Sequence, residues 1–312
     1  MSSGSLRIFA DVDQYASELQ QGPVQLTVAQ SGPFTARLWT IELQDLSMQR
    51  QSEELARTSH VDSRSDRAFI AFRMEPGPTV IRNGTELSTT KIARLRPGQS
   101  YYQRTSGPTV HCALSLPLDK MAAICAIGGC EPTPRDDDVT ITPPPEAMAR
   151  LQRLAKTSAD LAEDAPAVLT HPDAAHGLEQ ALTEALMACL GGEGHEDRAA
   201  LRHHAAIMRR FHRIIEEHLD QPLFIPELCK EIGASTRALN ACCHEHLGMG
   251  AKHFLLLRRM HMVRRALRES TPSETTVTQI ATRYGFWQFG RFAVEYKTLF
   301  GQAPSATLAR PA

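Results

Sequence analysis

Cys242, Cys243, His244 and His246 are the residues most suggestive of chemistry. On a helix, Cys242 and His246 stand one turn apart, and a thiolate with an imidazole at that spacing can share a zinc ion. Zinc needs further ligands, and no second pair has zinc-site spacing. Cys243 reads better as a small core residue and the histidines as a basic surface, so no metal and no cofactor is assigned. Cys125 and Cys130 raise redox chemistry, but seven cysteines without a CxxC pair argue against a disulfide framework. Catalytic patterns are missing too. There is no Gly-x-Ser-x-Gly, no phosphate-cradling glycine loop and no dinucleotide fingerprint. The β-rich part has only His60 and His111, where a cupin metalloenzyme needs a His-x-His pair and an acid. No enzyme is expected.

Charge is distributed unevenly. The 312 residues carry a formal charge of −1, yet residues 196–312 hold 17 Lys+Arg against 11 Asp+Glu and eight of the 13 His. Residues 1–195 hold 17 basic and 24 acidic side chains. An acidic half and a basic half suggest two domains with different partners, the second polyanionic. No apolar run reaches the 18 residues a membrane span needs, and the N-terminus lacks a signal-peptide core, so a cytoplasmic protein with no membrane partner is expected.

Two kinds of element must hold these residues. From about residue 24 to 118, runs such as Val24–Val28, Ala36–Leu43, Ala68–Phe72 and Thr109–Leu116 are β-branched, aromatic or alternating. Turn signals at Ser31–Pro33, Glu75–Pro78, Arg82–Gly84, Arg96–Gly98 and Ser106–Pro108 separate them. That spacing predicts a small β-barrel or sandwich, cupin-like. After Pro143–Pro145, Met148, Leu151 and Leu154, then Leu178, Leu182, Ala185, Leu186 and Leu190, mark two amphipathic helices. Their stripes either close the domain core or form a homodimer seam. Gly191–Arg198 has no apolar residue and reads as a linker. The expected organisation is α+β, with domain 1–190, linker 191–200 and an all-α domain 201–312.

Within the all-α domain lies an imperfect duplication. Leu228, Cys229, Ile232 and Gly233 match Ile280, Ala281, Tyr284 and Gly285 at an offset of 52. Leu239, Cys243, Leu247 and Gly248 match Phe292, Tyr296, Phe300 and Gly301 at 53. Each copy is a helix-turn-helix pattern. Gly233 and Gly285 suit the sharp turn, Ser235 an N-cap, and Thr276–Gln279 a capping box. Between the copies, Ala251–Glu269 contains neither Gly nor Pro and would span roughly 28 Å as a helix. A strut of that size suits two recognition helices in successive major grooves about 34 Å apart. Arg258, Arg259, Arg264, Arg265 and Arg268 would give it a basic side for phosphates.

These residues make the chain resemble the AraC/XylS family of bacterial transcription regulators over about residues 205–310. The resemblance rests on Leu228-Cys-x-x-Ile-Gly-x-Ser-x-x-x-Leu239, Gly248, Ile280-Ala-x-x-Tyr-Gly-Phe286, Gly290-Arg-Phe292, Tyr296-Lys297, Phe300-Gly301 and Pro304-Ser305. The Gly-Phe-Trp-x-Phe-Gly-Arg-Phe form is most similar to the XylS-type branch. The resemblance implies double-stranded promoter DNA and RNA polymerase as partners and an activating role. It also implies an effector-binding, homodimerising N-terminal domain. Arg237, Asn240, Gln288 and Arg291 then become candidate base readers, Phe289 a candidate thymine contact, and Ser235 and Lys297 candidate backbone contacts. Ala241 and Val294 depart from the family, standing where many members carry a polar or basic contact.

Polar or aromatic residues in the apolar strands are the candidate effector ligands: Arg37, Trp39, His60, Tyr102 and His111. An arginine with an aromatic wall suits a carboxylate, an effector type common in the branch. A metal- or redox-responsive regulator using the Cys/His residues is the alternative.

Overall fold

The computed structural model describes residues 2–128, 130–133, 138–191, 199–218, 221 and 223–309. The chain divides into two compact units, one of residues 1–26, 34–54 and 59–197, the other of 27–33, 55–58 and 198–312. Most of the expected 191–200 linker falls outside the described residues.

In chain order the first part contains β1 (Ser3–Phe9), α1 (Val12–Ser17), β2 (Val24–Val28), β3 (Ala36–Glu42), β4 (Ser47–Glu53), β5 (Arg57–Asp62), β6 (Arg67–Arg73), β7 (Val80–Arg82) and β8 (Thr85–Glu86). It continues with β9 (Ile92–Leu95), β10 (Ser100–Thr105), β11 (Thr109–Pro117), α2 (Leu118–Gly128), β12 (Asp138–Ile141), α3 (Pro145–Asp164) and α4 (Pro172–Leu190). Two sheets result, ordered β1-β3-β4-β11-β6-β9-β12 and β2-β5-β10-β7-β8. Neither closes on itself, so of the expected barrel or sandwich the chain forms two open antiparallel sheets and no closed barrel.

The larger sheet has one apolar face and one face of mixed character. Trp39, Ile41, Met48, Ile70, Phe72, Cys112 and Leu114 form a continuous core with Met148, Leu151 and Ala155 of α3 and Leu182 and Leu186 of α4. Each fully buried Leu or Ile there contributes roughly 1.5–3 kcal/mol. On the other face, register sets Gln51 beside His111 and His111 beside Arg73. All three are buried. The smaller sheet turns Gln103 and Arg82 inward, hydrogen-bonded to each other. Two small apolar clusters among the described residues, Val61-Phe69-Leu95-Tyr101 and Val80-Leu87-Ala93, accompany them. The largest dry core thus lies between sheet and helices, and the layer between the sheets mixes polar with apolar groups.

That arrangement accounts for the strands composition does not reveal. β4 reads Ser-Met-Gln-Arg-Gln-Ser-Glu, and its buried Gln49, Gln51 and Glu53 face that layer. β1 pairs with β3 from Ser3 opposite Glu42 to Phe9 opposite Ala36. Among the described residues one disulfide forms, Cys125–Cys130, between the two cysteines that raised redox chemistry in a sequence that argues against a disulfide framework.

The second part is helical: α5 (Ala199–Glu217), α6 (Ile225–Ile232), α7 (Thr236–Leu247), α8 (Ala251–Glu269), α9 (Val277–Arg283), α10 (Phe289–Phe300) and α11 (Pro304–Leu308). α8 has the bounds the sequence predicts. Gly233 ends α6 in the left-handed conformation at φ 70°, and Gly248 and Gly301 do the same for α7 and α10. Such backbone favours a residue without Cβ.

Candidate functional site

Each helix-turn-helix is built by local hydrogen bonds that leave one face of its second helix open. In the first, Ser235 Oγ accepts from Ala238 N at 3.1 Å and starts α7. Leu239, Cys243 and Leu247 turn inward. Arg237, Ala241 and His244 form the exposed stripe. Asn240, a candidate base reader, has both ends of its amide engaged within the domain. Its Nδ2 donates to Thr236 O at 3.0 Å, and its Oδ1 accepts from Ala251 N at 3.2 Å. The amide therefore caps α8, whose N-cap Gly250 has no side chain to do so. His244 was missed as a member of the readable stripe; its spacing from Arg237 and Ala241 is the signal that could have found it.

In the second copy, Thr276 and Gln279 form the reciprocal capping box at the start of α9. Phe286, Phe292 and Tyr296 pack with Ile280, Ala281 and Tyr284 in the core. Gln288, Phe289, Arg291 and Lys297 are exposed. Arg291 Nε donates to Glu295 Oε1 at 2.7 Å, which orients the guanidinium and holds its pKa above the ordinary value. Two exposed residues escaped sequence reasoning: Trp287 at 73% and, as an apolar surface residue, Val294 at 67%. Trp287, Arg291 and Glu295 line a groove of about 610 Å³ together with Lys252, His253 and Arg259.

The strut arginines differ from the expected basic stripe. Arg258 donates to Ile215 O at 3.3 Å. Arg259 lies over the Phe286 ring and Arg264 over that of Phe300. These three brace the domain through packing and stacking. Arg265 is exposed.

The Cys/His cluster does not face one point. Cys242, Cys243 and His246 are buried, whereas His244 is exposed. Burial pushes the Cys242 thiol up to about 11 and Cys243 to about 12, and His246 down to about 4.

The five effector candidates are scattered over different faces. Arg37 and Trp39 both bond Glu163 of α3, at 2.8 Å each, on the helix-facing side of β3. They anchor a helix to a sheet. His60 and Tyr102 meet edge-on, ring centroids 4.8 Å apart, and alternate in sequence with the inward residues of β5 and β10. Only His111 points into the layer between the sheets. Strand parity separates them, because successive side chains take opposite faces.

A family model described as a helix-turn-helix domain matches residues 228–310. The "Probable thc operon regulatory protein" of Rhodococcus erythropolis is 38% identical over 94 residues, 30% of this chain and 28% of that one. The "XylDLEGF operon transcriptional activator 3" of Pseudomonas putida is 33% identical over 98 residues, 31% of this chain and 30% of that one. The chain thus spans under a third of these relatives' length. A solved probable AraC family transcriptional regulator from Rhodopseudomonas palustris CGA009 is 32% identical over 34% of this chain and 98% of its own, with a TM-score of 0.31. The matched residues are those of the duplicated hairpins, and over them the chain carries a helix-turn-helix domain of the AraC/XylS type.

Proposed function

We propose that the protein is a sequence-specific activator that binds double-stranded promoter DNA through residues 201–312 and acts with RNA polymerase. Residues 1–190 bind a small-molecule effector and dimerise. The observation that carries this reading is the pair of capped helix-turn-helix units, each with an open stripe on its second helix. Arg237, Gln288 and Arg291 read base edges, Phe289 touches a thymine methyl, and Ser235 and Lys297 hold phosphates. Relatives named as operon activators support the activating sign. Effector control requires that the ligand bind two arrangements of the protein with different affinity.

Genomic footprinting with the full chain tests the proposal. Discrete protected sites, each lost at one base pair of preference in Arg291→Ala, are expected. Uniform, sequence-independent protection would refute it.

A further inference from the structure

We infer that Cys125 and Cys130 are a reversible thiol–disulfide couple, oxidised by a hydroperoxide and reduced by a dithiol, whose state is passed to α4. The bonded residues stand five apart in sequence, with Cα atoms 4.6 Å apart. Cys130 N donates to Cys125 O at 3.1 Å, so the backbone holds the two side chains together whether or not the sulfurs are bonded. So short a loop leaves the bond little chain entropy to remove, and stabilising the fold is not its main effect. Proximity is what the loop supplies, and a reduced pair held this way closes again readily. The other five cysteines stay thiols. Burial pushes Cys112, Cys189, Cys242 and Cys243 up, which leaves them poor sources of thiolate.

Access sets the roles within the pair. Cys130 is half-buried, whereas Cys125 is 1% exposed. The Cys130 thiolate breaks the peroxide O–O bond, keeps one oxygen as a sulfenic acid and releases the other as alcohol or water. Cys125 then attacks the Cys130 sulfur, forms the S–S bond and expels that oxygen as water. Two electrons pass from the two thiols to the peroxide. In reverse, a dithiol attacks Cys130, Cys125 leaves as thiolate, and the reductant closes its own disulfide. Arg94 serves that leaving group. Its Nη2 donates to Glu131 O at 2.7 Å, and Cys125 Sγ lies 3.3 Å from the same oxygen, so a buried guanidinium stands beside the sulfur and favours its anion. Met121, Ile124 and Cys125 of α2 share a core with Leu182, Leu186 and Cys189 of α4, and Cys130 packs against it. Breaking the bond therefore loosens the end of α2 against α4, the last described helix of its unit.

The full-length protein is reduced with dithiothreitol, freed of it and treated with hydrogen peroxide, and alkylation with mass spectrometry counts the thiols. Peroxide is expected to remove two of the seven thiols and to link the peptides holding Cys125 and Cys130. Dithiothreitol should restore both without denaturant. Cys125→Ser should stop at a Cys130 sulfenic acid that dimedone traps, while Cys130→Ser should give no adduct at Cys125. Arg94→Met should be reduced severalfold more slowly than the wild type, because the leaving thiolate loses its cation. A bond that dithiothreitol opens only in denaturant, or peroxide consumed first at Cys229, would overturn the couple. Gel shifts on reduced and oxidised samples test the passage to α4, and this step alone rests on the proposed function. A severalfold difference in DNA affinity, absent from Cys130→Ser, is expected, and equal affinity would overturn the signalling role. DNA binding by neither form would fall on the proposed function instead, with the thiol count still deciding the couple.

Discussion

The two helix-turn-helix copies share a framework and use their polar residues differently. In the first, Asn240 is bonded to the start of α8, His246 is buried in the core at 1% exposure, and Ser235 caps its own helix. In the second, the positions matching Asn240 and His246 are Ala293 and Leu299. Gln288 at its N-cap makes no side-chain cap bond and is exposed. Arg291 and Trp287 stand beside it in the open. The first copy is the braced one, and the second presents more side-chain chemistry to a partner.

The largest effect expected is on folding. Phe292→Ala should cost about 3–5 kcal/mol, since an aromatic core residue leaves a cavity that α10 cannot refill. Urea midpoints measure it, and a loss below 1 kcal/mol would mean that the second copy is loosely packed.

Acid should act on the first copy. His246 is held near 4 by burial, against an ordinary 6.5, and neither ring nitrogen makes a hydrogen bond. Its folded pKa is depressed, so above about pH 6.5 it is neutral in both states and stability is full. As pH falls from 6.5 toward 4 the unfolded chain takes up a proton the folded one refuses, and stability drops by about 1.4 kcal/mol per pH unit. His246→Leu, which installs the residue found at matching position 299, should flatten that slope. An unchanged slope would remove His246 from the account.

Base reading should separate the copies next. Arg291→Ala should remove about 1–3 kcal/mol of discrimination at one base pair. Asn240→Ala should cost about 1 kcal/mol of stability through lost capping, with operator preference unchanged. A specificity change in Asn240→Ala would restore it as a reader and erase the contrast. The smallest effect belongs to Lys297→Ala, expected to weaken all DNA sequences alike and to lower the salt slope by about 0.9.

Legibility followed the physics of each region. The hairpins, caps and α8 could be read because Gly, Ser and Thr at turns act locally, within three or four residues. β4 could not, because a strand whose buried side faces other polar groups shows no apolar alternation. Arg37 and Trp39 were recognisable as chemistry, yet which face of β3 they occupy depends on pairing with distant strands. Asn240 illustrates the same limit on a helix. Its partner Ala251 lies 11 residues on, and nothing local distinguishes an amide that caps a neighbour from one that reads a base.

The placement of grease and polarity in the N-terminal unit has a mechanical corollary. The large sheet and its helices are welded by a dry core, whereas the smaller sheet adheres, among the described residues, through polar groups and smaller apolar clusters. Prising that leaf away would wet mostly groups that water can serve. Its attachment is therefore the part of the unit that costs least to disturb.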